Sequence, residues 1–329
     1  MDFAKLYNLE KENIKYLEFK NENDWHELRT HGIGGSDIGA IMGLNEYTSP
    51  LQIFKAKMGE AKNSDNEFTR RGKDLEDIIR ERYFKPFMKD LGCEIIHPEV
   101  TMVNEEYPWL RANLDGFAVS LDRDPLKNKV IEIKYVSSGA QAKWDGKEYD
   151  GIPASYYAQV QEYMLVTNSN EAYLGALFDK GWEFKVYKII RDEIFINKLI
   201  KMSKEFYEFN MQFKIPPKID FTLDKEEAYE ALAKDSPVMI KNNNEFDELC
   251  MNFKLLNEES KSIENRKKAL RQEILYMYNE GYRTTDDNVK VSVSTYETTS
   301  FDSLSFGAQY PDLYSKFIKK NNQFRLTIK

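Results

Sequence analysis

The residues best suited to chemistry are Asp115, followed by Gly116, and then, past a run of Asp, Pro and Asn, the stretch Val130-Ile131-Glu132-Ile133-Lys134. If that stretch is a strand, side chains alternate between its faces, so Glu132 and Lys134 share one face while Ile131 and Ile133 fill the other. A Glu and a Lys on one strand face also describe an ordinary surface salt bridge. Asp115 adds a second carboxylate, because Asn113-Leu114-Asp115-Gly116 lies where the preceding strand can set it against Glu132. Two carboxylates at close range raise one pKa unless a cation lies between them, and a divalent metal is the economical cation.

The donors available to such a metal are oxygens. Cys93 and Cys250 are far apart, and no Cys or His stands at metal-ligand spacing, which leaves a disulfide framework, a zinc finger and a four-cysteine iron–sulfur cluster unsupported. Hard oxygen donors point to Mg2+ or Mn2+, which keep several waters and accept substrate phosphate. Phosphodiester hydrolysis fits that donor set: such a cation acidifies water and offsets charge on phosphorus, while Lys134 can orient or help deprotonate the attacking water.

Elements able to position these residues can be read on either side. Residues 24–60 read as short helices punctuated by glycine, with Ser36 as a natural N-cap for the segment beginning Ser36-Asp37-Ile38. Phe68, Leu75, Ile78, Ile79 and Tyr83 recur at helical spacing and Gly92 follows as a stop, which predicts a helix over 67–89 with Glu76 beside its apolar stripe. Strand-like runs follow at 94–97, 100–103, 114–121 and 129–136, the texture of a meander. A helix over 153–167, strands over 172–178 and 182–190 and an amphipathic helix over 191–213 complete an α/β pattern, a mixed sheet flanked by helices.

Pro216-Pro217 cannot continue a helix, so the expected division is 1–215 for the main domain and 216–329 for an appendage. There Phe246, Leu249, Phe253, Leu256, Ile263, Leu270, Ile274 and Met277 follow 3,4 spacing, with Ser260 and Lys267 on the same seam. That pattern suits a helical hairpin or short coiled coil, and equally a helix packed on the main domain. Alternation at Val289, Val291 and Val293, with Phe324 to Ile328 at the end, predicts a small β unit.

At 329 residues, with 41% hydrophobic and 13% aromatic content, the chain can fill a substantial core. Its net charge of −8 argues against coating nucleic acid non-specifically, though not against a local basic groove. No apolar run is long enough to span a membrane, and Met1-Asp2-Phe3-Ala4-Lys5 does not begin a secretory signal, so a cytoplasmic protein is expected.

The arrangement resembles the PD-(D/E)xK nuclease superfamily and, more narrowly, the YqaJ-type viral recombinases and lambda exonuclease. The narrower resemblance rests on further blocks in order: Trp25-His26-Glu27-Leu28-Arg29 with Gly34-Gly35-Ser36-Asp37-Ile38, then Arg71-Gly72-Lys73-Asp74-Leu75-Glu76, then Tyr156-Tyr157-Ala158-Gln159-Val160-Gln161 after the ExK strand. Phe301-Asp302 through Pro311-Asp312-Leu313-Tyr314 to Arg325 is similar to the tail of some phage-type members and carries no assigned chemistry. The proline of the superfamily signature is replaced by Leu114.

The resemblance implies a restriction-endonuclease-like fold and a Mg2+-dependent deoxyribonuclease, with two ions and Mn2+ able to substitute. It implies exonucleolytic hydrolysis of duplex DNA from 5′-phosphorylated ends, leaving single strand for an annealing recombinase. The metal ligands would be Asp115, Glu132, Glu76 and the backbone carbonyl of Ile133. Lys134 would orient the nucleophile, Tyr156 and Gln159 would position water or phosphate, and Arg29 with Ser36 would grip the terminal phosphate, where an arginine fork and a helix N-terminus suit an anion. A homo-oligomer, a ring-like trimer or another assembly, and a phage or prophage origin follow from the same likeness. Two alternatives stand beside it: an endonuclease of the same fold, and a catalytically idle DNA- or partner-binding protein on the same scaffold.

Overall fold

The computed structural model describes residues 13–60, 67–233, 243–285, 289–319, 323 and 325–328. The chain forms two units, Met1–Ala228 and Tyr229–Lys329. The first contains β1 (Ile14–Glu18), α1 (Glu22–Thr30), β2 (Ile33–Gly34), α2 (Gly35–Ile41), α3 (Pro50–Lys57), α4 (Glu67–Ile79), α5 (Lys85–Asp90), β3 (Cys93–Ile96), β4 (Val100–Asn104), β5 (Leu110–Arg111), β6 (Gly116–Ser120), β7 (Lys129–Val136), α6 (Ala154–Thr167), β8 (Glu171–Phe178), β9 (Glu183–Ile190) and α7 (Glu193–Glu205).

The central sheet has five strands in the order β3-β6-β7-β8-β9. All pairings are antiparallel except β7 with β8, which run parallel because α6 carries the chain back across the sheet between them. This is the mixed sheet flanked by helices that the pattern predicts. The meander is not. β4 leaves the central sheet and pairs with β1, a strand that the sequence pattern did not disclose, while β2 pairs in parallel with β5. Alternation identifies a strand but not its neighbour, and here the neighbour lies far off in sequence.

The two faces of β7 belong to different cores. Val130 and Val136 pack with Tyr157, Ala158 and Val160 of α6, whereas Ile131 and Ile133 pack with Ile79, Phe84 and Met88. The long predicted helix is therefore real and lies on the isoleucine face, but a wide π-type turn over Arg80–Phe84 interrupts it between α4 and α5. There the Lys85 N–H reaches back to the Arg80 carbonyl, and the next residue, Pro86, has no N–H to offer the helix ladder. The turn buries Arg80 and Phe84 together. Phe84 packs on β8 at Gly175, where any Cβ would overlap the ring. Gly92, at φ 71°, ends the segment.

Ser36 is not an N-cap. The capping position of α2 is Gly34, whose N–H donates to Oδ2 of Asp37 at 2.9 Å, which leaves Ser36 exposed inside the first turn. After Pro216-Pro217 the chain stays on the first unit: Ser49 Oγ donates to Asp224, Gln52 donates to the Leu223 carbonyl at 3.3 Å, and Lys55 pairs with Glu227. The division after Ala228 thus lies beyond the proline pair.

α8 (Lys225–Leu232) spans that division, and the second unit is built on α9 (Asn244–Asn279), one continuous helix capped by Asn243. Of the readings offered for this segment, the hairpin is absent among the described residues, since no turn breaks α9, and none of its residues is buried. Two short helices follow, α10 (Ser303–Gln309) and α11 (Pro311–Phe317). The expected β unit is also absent among the described residues: Val289, Val291 and Val293 and residues 325–328 form no strand, and Phe324 lies outside the described residues. Alternation alone cannot hold a strand that has no partner. No described helix is long and apolar enough to cross a membrane.

Phe84 is fully buried on Gly175, so Phe84→Ala is expected to lower the free energy of unfolding by about 3–5 kcal/mol in urea titrations. A loss under about 1 kcal/mol would mean that the wide turn does not anchor the helix to the sheet.

Candidate active site

Asp115 immediately precedes β6, and the pairing of β6 with β7 ends at Gly116 and Ile131. Ile133 therefore reaches past the last paired residue, and its N–H donates to Oδ2 of Asp115 at 2.8 Å. The N–H and C=O of one strand residue point to the same side, so the Ile133 carbonyl faces the Asp115 edge as well. On the next residues, the side chains of Glu132 and Lys134 turn together to the α6 face of the sheet and pair with each other.

Glu132 is almost wholly buried, with its side chain 1% exposed. One carboxylate oxygen takes the Lys134 ammonium; the other, Oε2, is buried without any hydrogen-bond partner. Burial first, then the charge of Asp115, pushes Glu132 up to about 8. Glu76 is pushed up to about 7 by burial and by Asp115, while Arg80 pulls it back. Burial works against the charge of Lys134, but the carboxylates of Glu132 and Asp115 outweigh it and hold the ammonium above the ordinary lysine range. So held, Lys134 is a donor and a positive charge; it is not a base.

Arg80 was not singled out from the sequence. It is buried, donates to Glu76 at 2.7 Å and Asp77 at 2.6 Å, and through Nε to the Asp115 backbone carbonyl at 2.8 Å. One guanidinium thereby ties the helix glutamate to the start of β6. Its spacing, four residues after Glu76 and three after Asp77, was the available signal.

The first turns of α6 close the other side. The Lys134 ammonium sits 5.0 Å from the centre of the Tyr156 ring, a cation–π distance. Gln159 is buried and donates to the Tyr163 hydroxyl at 3.1 Å. Tyr163 is a second residue that sequence reasoning missed: burial, then the charges of Glu132 and Asp115, push its hydroxyl well above the ordinary tyrosine range. It lay one turn from Gln159 on the same helix face, which was the only hint. Both side chains press on Gly35, where a Cβ would collide with the Tyr163 ring. The start of α2 is thereby packed against the residues beside Glu132.

Arg29 and Ser36 are brought together, the guanidinium donating to Ser36 Oγ at 2.8 Å while lying 4.7 Å from the centre of the Trp25 ring. The predicted residues thus form two groups: Glu76, Asp115, Glu132, Lys134, Tyr156 and Gln159 around the start of β6, and Arg29 with Ser36 at the α1–α2 junction.

The donors fit a hard divalent cation in kind. They are carboxylates, two are raised by burial and then by the charge of Asp115, and Glu132 Oε2 is buried with nothing to accept from. As arranged, each carboxylate is turned to a protein donor, and among the described residues no three acidic, His or Cys side chains close around a point. A cation entering here competes with Lys134 for Glu132 and with Arg80 for Glu76.

Residues 24–170 match the model of the YqaJ-like viral recombinase domain. Over 315 residues the chain is 26% identical to the Bacillus subtilis (strain 168) protein described as uncharacterized protein YqaJ, covering 93% of each. Among solved structures it is similar to an alkaline exonuclease, LHK-Exo, from Laribacter hongkongensis (15% identity, TM-score 0.45, 64% of this chain and all of that one). It is also similar to a phage-related exonuclease from Haemophilus somnus 129PT (13% identity, TM-score 0.40, 58% of this chain and all of that one).

Without metal, Glu132 should make stability depend on pH. Its folded pKa, about 8, lies above the ordinary 4.5, so its contribution is fully present below pH 4.5 and is lost as pH rises to 8. In chelator, Glu132→Gln should flatten the fall in the urea midpoint across that window; an unchanged slope would show that Glu132 is not the residue titrating there.

Proposed function

We propose that this chain, whose residues 24–170 carry the YqaJ-like viral recombinase domain, is a Mg2+-dependent deoxyribonuclease that hydrolyses duplex DNA from 5′-phosphorylated ends. The observation that carries the reading is the juxtaposition of Asp115, Glu132 and Lys134 at the open end of the β6–β7 pairing, with Glu132 Oε2 buried and unpartnered. Asp115, Glu132, the Ile133 carbonyl and Glu76 would hold one or two Mg2+ ions, and Mn2+ suits the same oxygens. A metal there supplies positive charge against that building on the phosphate and acidifies the attacking water.

The chain's own residues do the rest. Lys134, held as an ammonium, orients the attacking water by donating to it and adds charge next to the scissile phosphate. Gln159 and Tyr156 line the α6 side and restrict where water and phosphate can sit. Arg80 keeps Glu76 and the Asp115 backbone in fixed relation. Arg29 and Ser36, with Trp25 bracing the guanidinium, form a donor pair suited to a terminal phosphate. The product, single-stranded DNA, suits a strand-annealing recombinase as partner, and a ring-like homo-oligomer would keep the enzyme on its track.

Two experiments test this. Full-length protein with Mg2+ should degrade a linear 5′-phosphorylated duplex, spare a covalently closed circle and stop on adding chelator; cutting of the circle would replace end dependence with endonuclease action, and DNA binding without hydrolysis in Mn2+ would leave an idle scaffold. Lys134→Ala should lower the rate by at least about 100-fold while leaving duplex affinity near wild type. Retention of full activity would remove Lys134 from the mechanism.

A further inference from the structure

Lys57, at the end of α3, has no place in the site described above, yet it is one of the most deeply buried lysines of the first unit. Its side chain is 6% exposed and that of its partner Asp37 is 11% exposed, with 2.6 Å between Nζ and Oδ2. A charged pair this far from water is not there for surface solubility. Lys57 Nζ also donates to the backbone carbonyl of Arg29 at 2.7 Å, and Asp37 Oδ2 accepts the Gly34 N–H at 2.9 Å.

These contacts link three chain segments through two charges. The Arg29 carbonyl lies in the last turn of α1, Gly34 and Asp37 frame the start of α2, and Lys57 comes from α3. The segments that carry Arg29 and Ser36 are the two being clamped, and the Arg29–Ser36 hydrogen bond of 2.8 Å spans the same junction. Glu162, fully buried nearby, is pushed well above the ordinary carboxylate range by burial and by the charge of Asp37. Lys57 is the counter-ion that faces Asp37 in this pocket.

We infer that the Lys57–Asp37 pair is a positioning device for recognition of the DNA 5′ end: it sets the backbone of Arg29 against the start of α2 so that Arg29 and Ser36 meet one terminal phosphate. This rests on the proposal that Arg29 and Ser36 grip that phosphate. Neither Lys57 nor Asp37 touches the phosphate. Their loss should act on end discrimination while leaving hydrolysis of an already engaged strand unchanged.

The test uses full-length protein and two duplexes identical but for a 5′-phosphate or a 5′-hydroxyl. Binding is read by fluorescence anisotropy in chelator, and initial rates are read with Mg2+. Lys57→Met and Asp37→Asn should each cut the phosphate-over-hydroxyl preference about tenfold, the scale of one charge-assisted hydrogen bond, through affinity and KM while kcat stays near wild type. Lys57→Arg, which keeps a buried donor, should recover most of the preference. If Arg29→Ala abolishes the preference but Lys57→Met and Asp37→Asn retain it, the positioning role is overturned and the grip stands. If both variants lose binding and rate equally on the two duplexes, the pair is structural only and the inference also fails. If Arg29→Ala itself leaves the preference intact, the grip is wrong and the inference falls with it.

Discussion

The structure is organised around the cost of holding carboxylates close together away from water. Asp115 stands against Glu132, and Glu76 feels the charge of both Asp115 and Lys134. Like charges in a poorly solvated site raise one another's pKa, and only fixed cations or hydrogen-bond donors allow them to persist. Lys134 answers for Glu132, Arg80 for Glu76, and the Ile133 N–H for Asp115. Glu132 Oε2 is left with no donor at all.

That balance explains why the elements sit as they do. β7 alternates between two cores, so the same strand buries isoleucines under α4 and presents a Glu and a Lys toward α6. Arg80 can reach Glu76 and the Asp115 carbonyl because the wide turn places it at the end of α4, over the point where β6 begins. That turn is held down by Phe84 on Gly175. On the opposite face Gln159 and Tyr163 lie against Gly35, so the junction carrying Arg29 and Ser36 is packed onto the same helix that lines the carboxylates. Packing therefore couples the two groups of residues without any direct bond between them.

The second unit follows other rules. α9 buries no residue, and apolar side chains such as Phe246, Leu249 and Leu256 are exposed along it. Local propensity and the Asn243 cap suffice to define it as a helix. A hairpin would have required a turn signal, and Ser260 and Lys267, which interrupt the apolar spacing, are both tolerated on an exposed helix.

Wherever the deciding forces are local, the sequence by itself determined the outcome. Alternation within 129–136 was enough to assign Glu132 and Lys134 to one face, 3.6-residue spacing located the helix bearing Glu76, and the order of elements implied a mixed sheet between helices. Tertiary structure decided whatever depended on a distant partner. Pairing of β4 with β1, capping of α2 by Asp37 in place of Ser36, and the absence of a ladder at Val289 to Val293 all turn on which group reaches a hydrogen bond first, and spacing does not encode that. Arg80 and Tyr163 showed in the sequence only as helical spacing, and the pairing of Lys57 with Asp37 not at all, for the same reason. A buried charge or hydroxyl takes its meaning from what surrounds it, and those neighbours come from other helices and strands once the chain has folded.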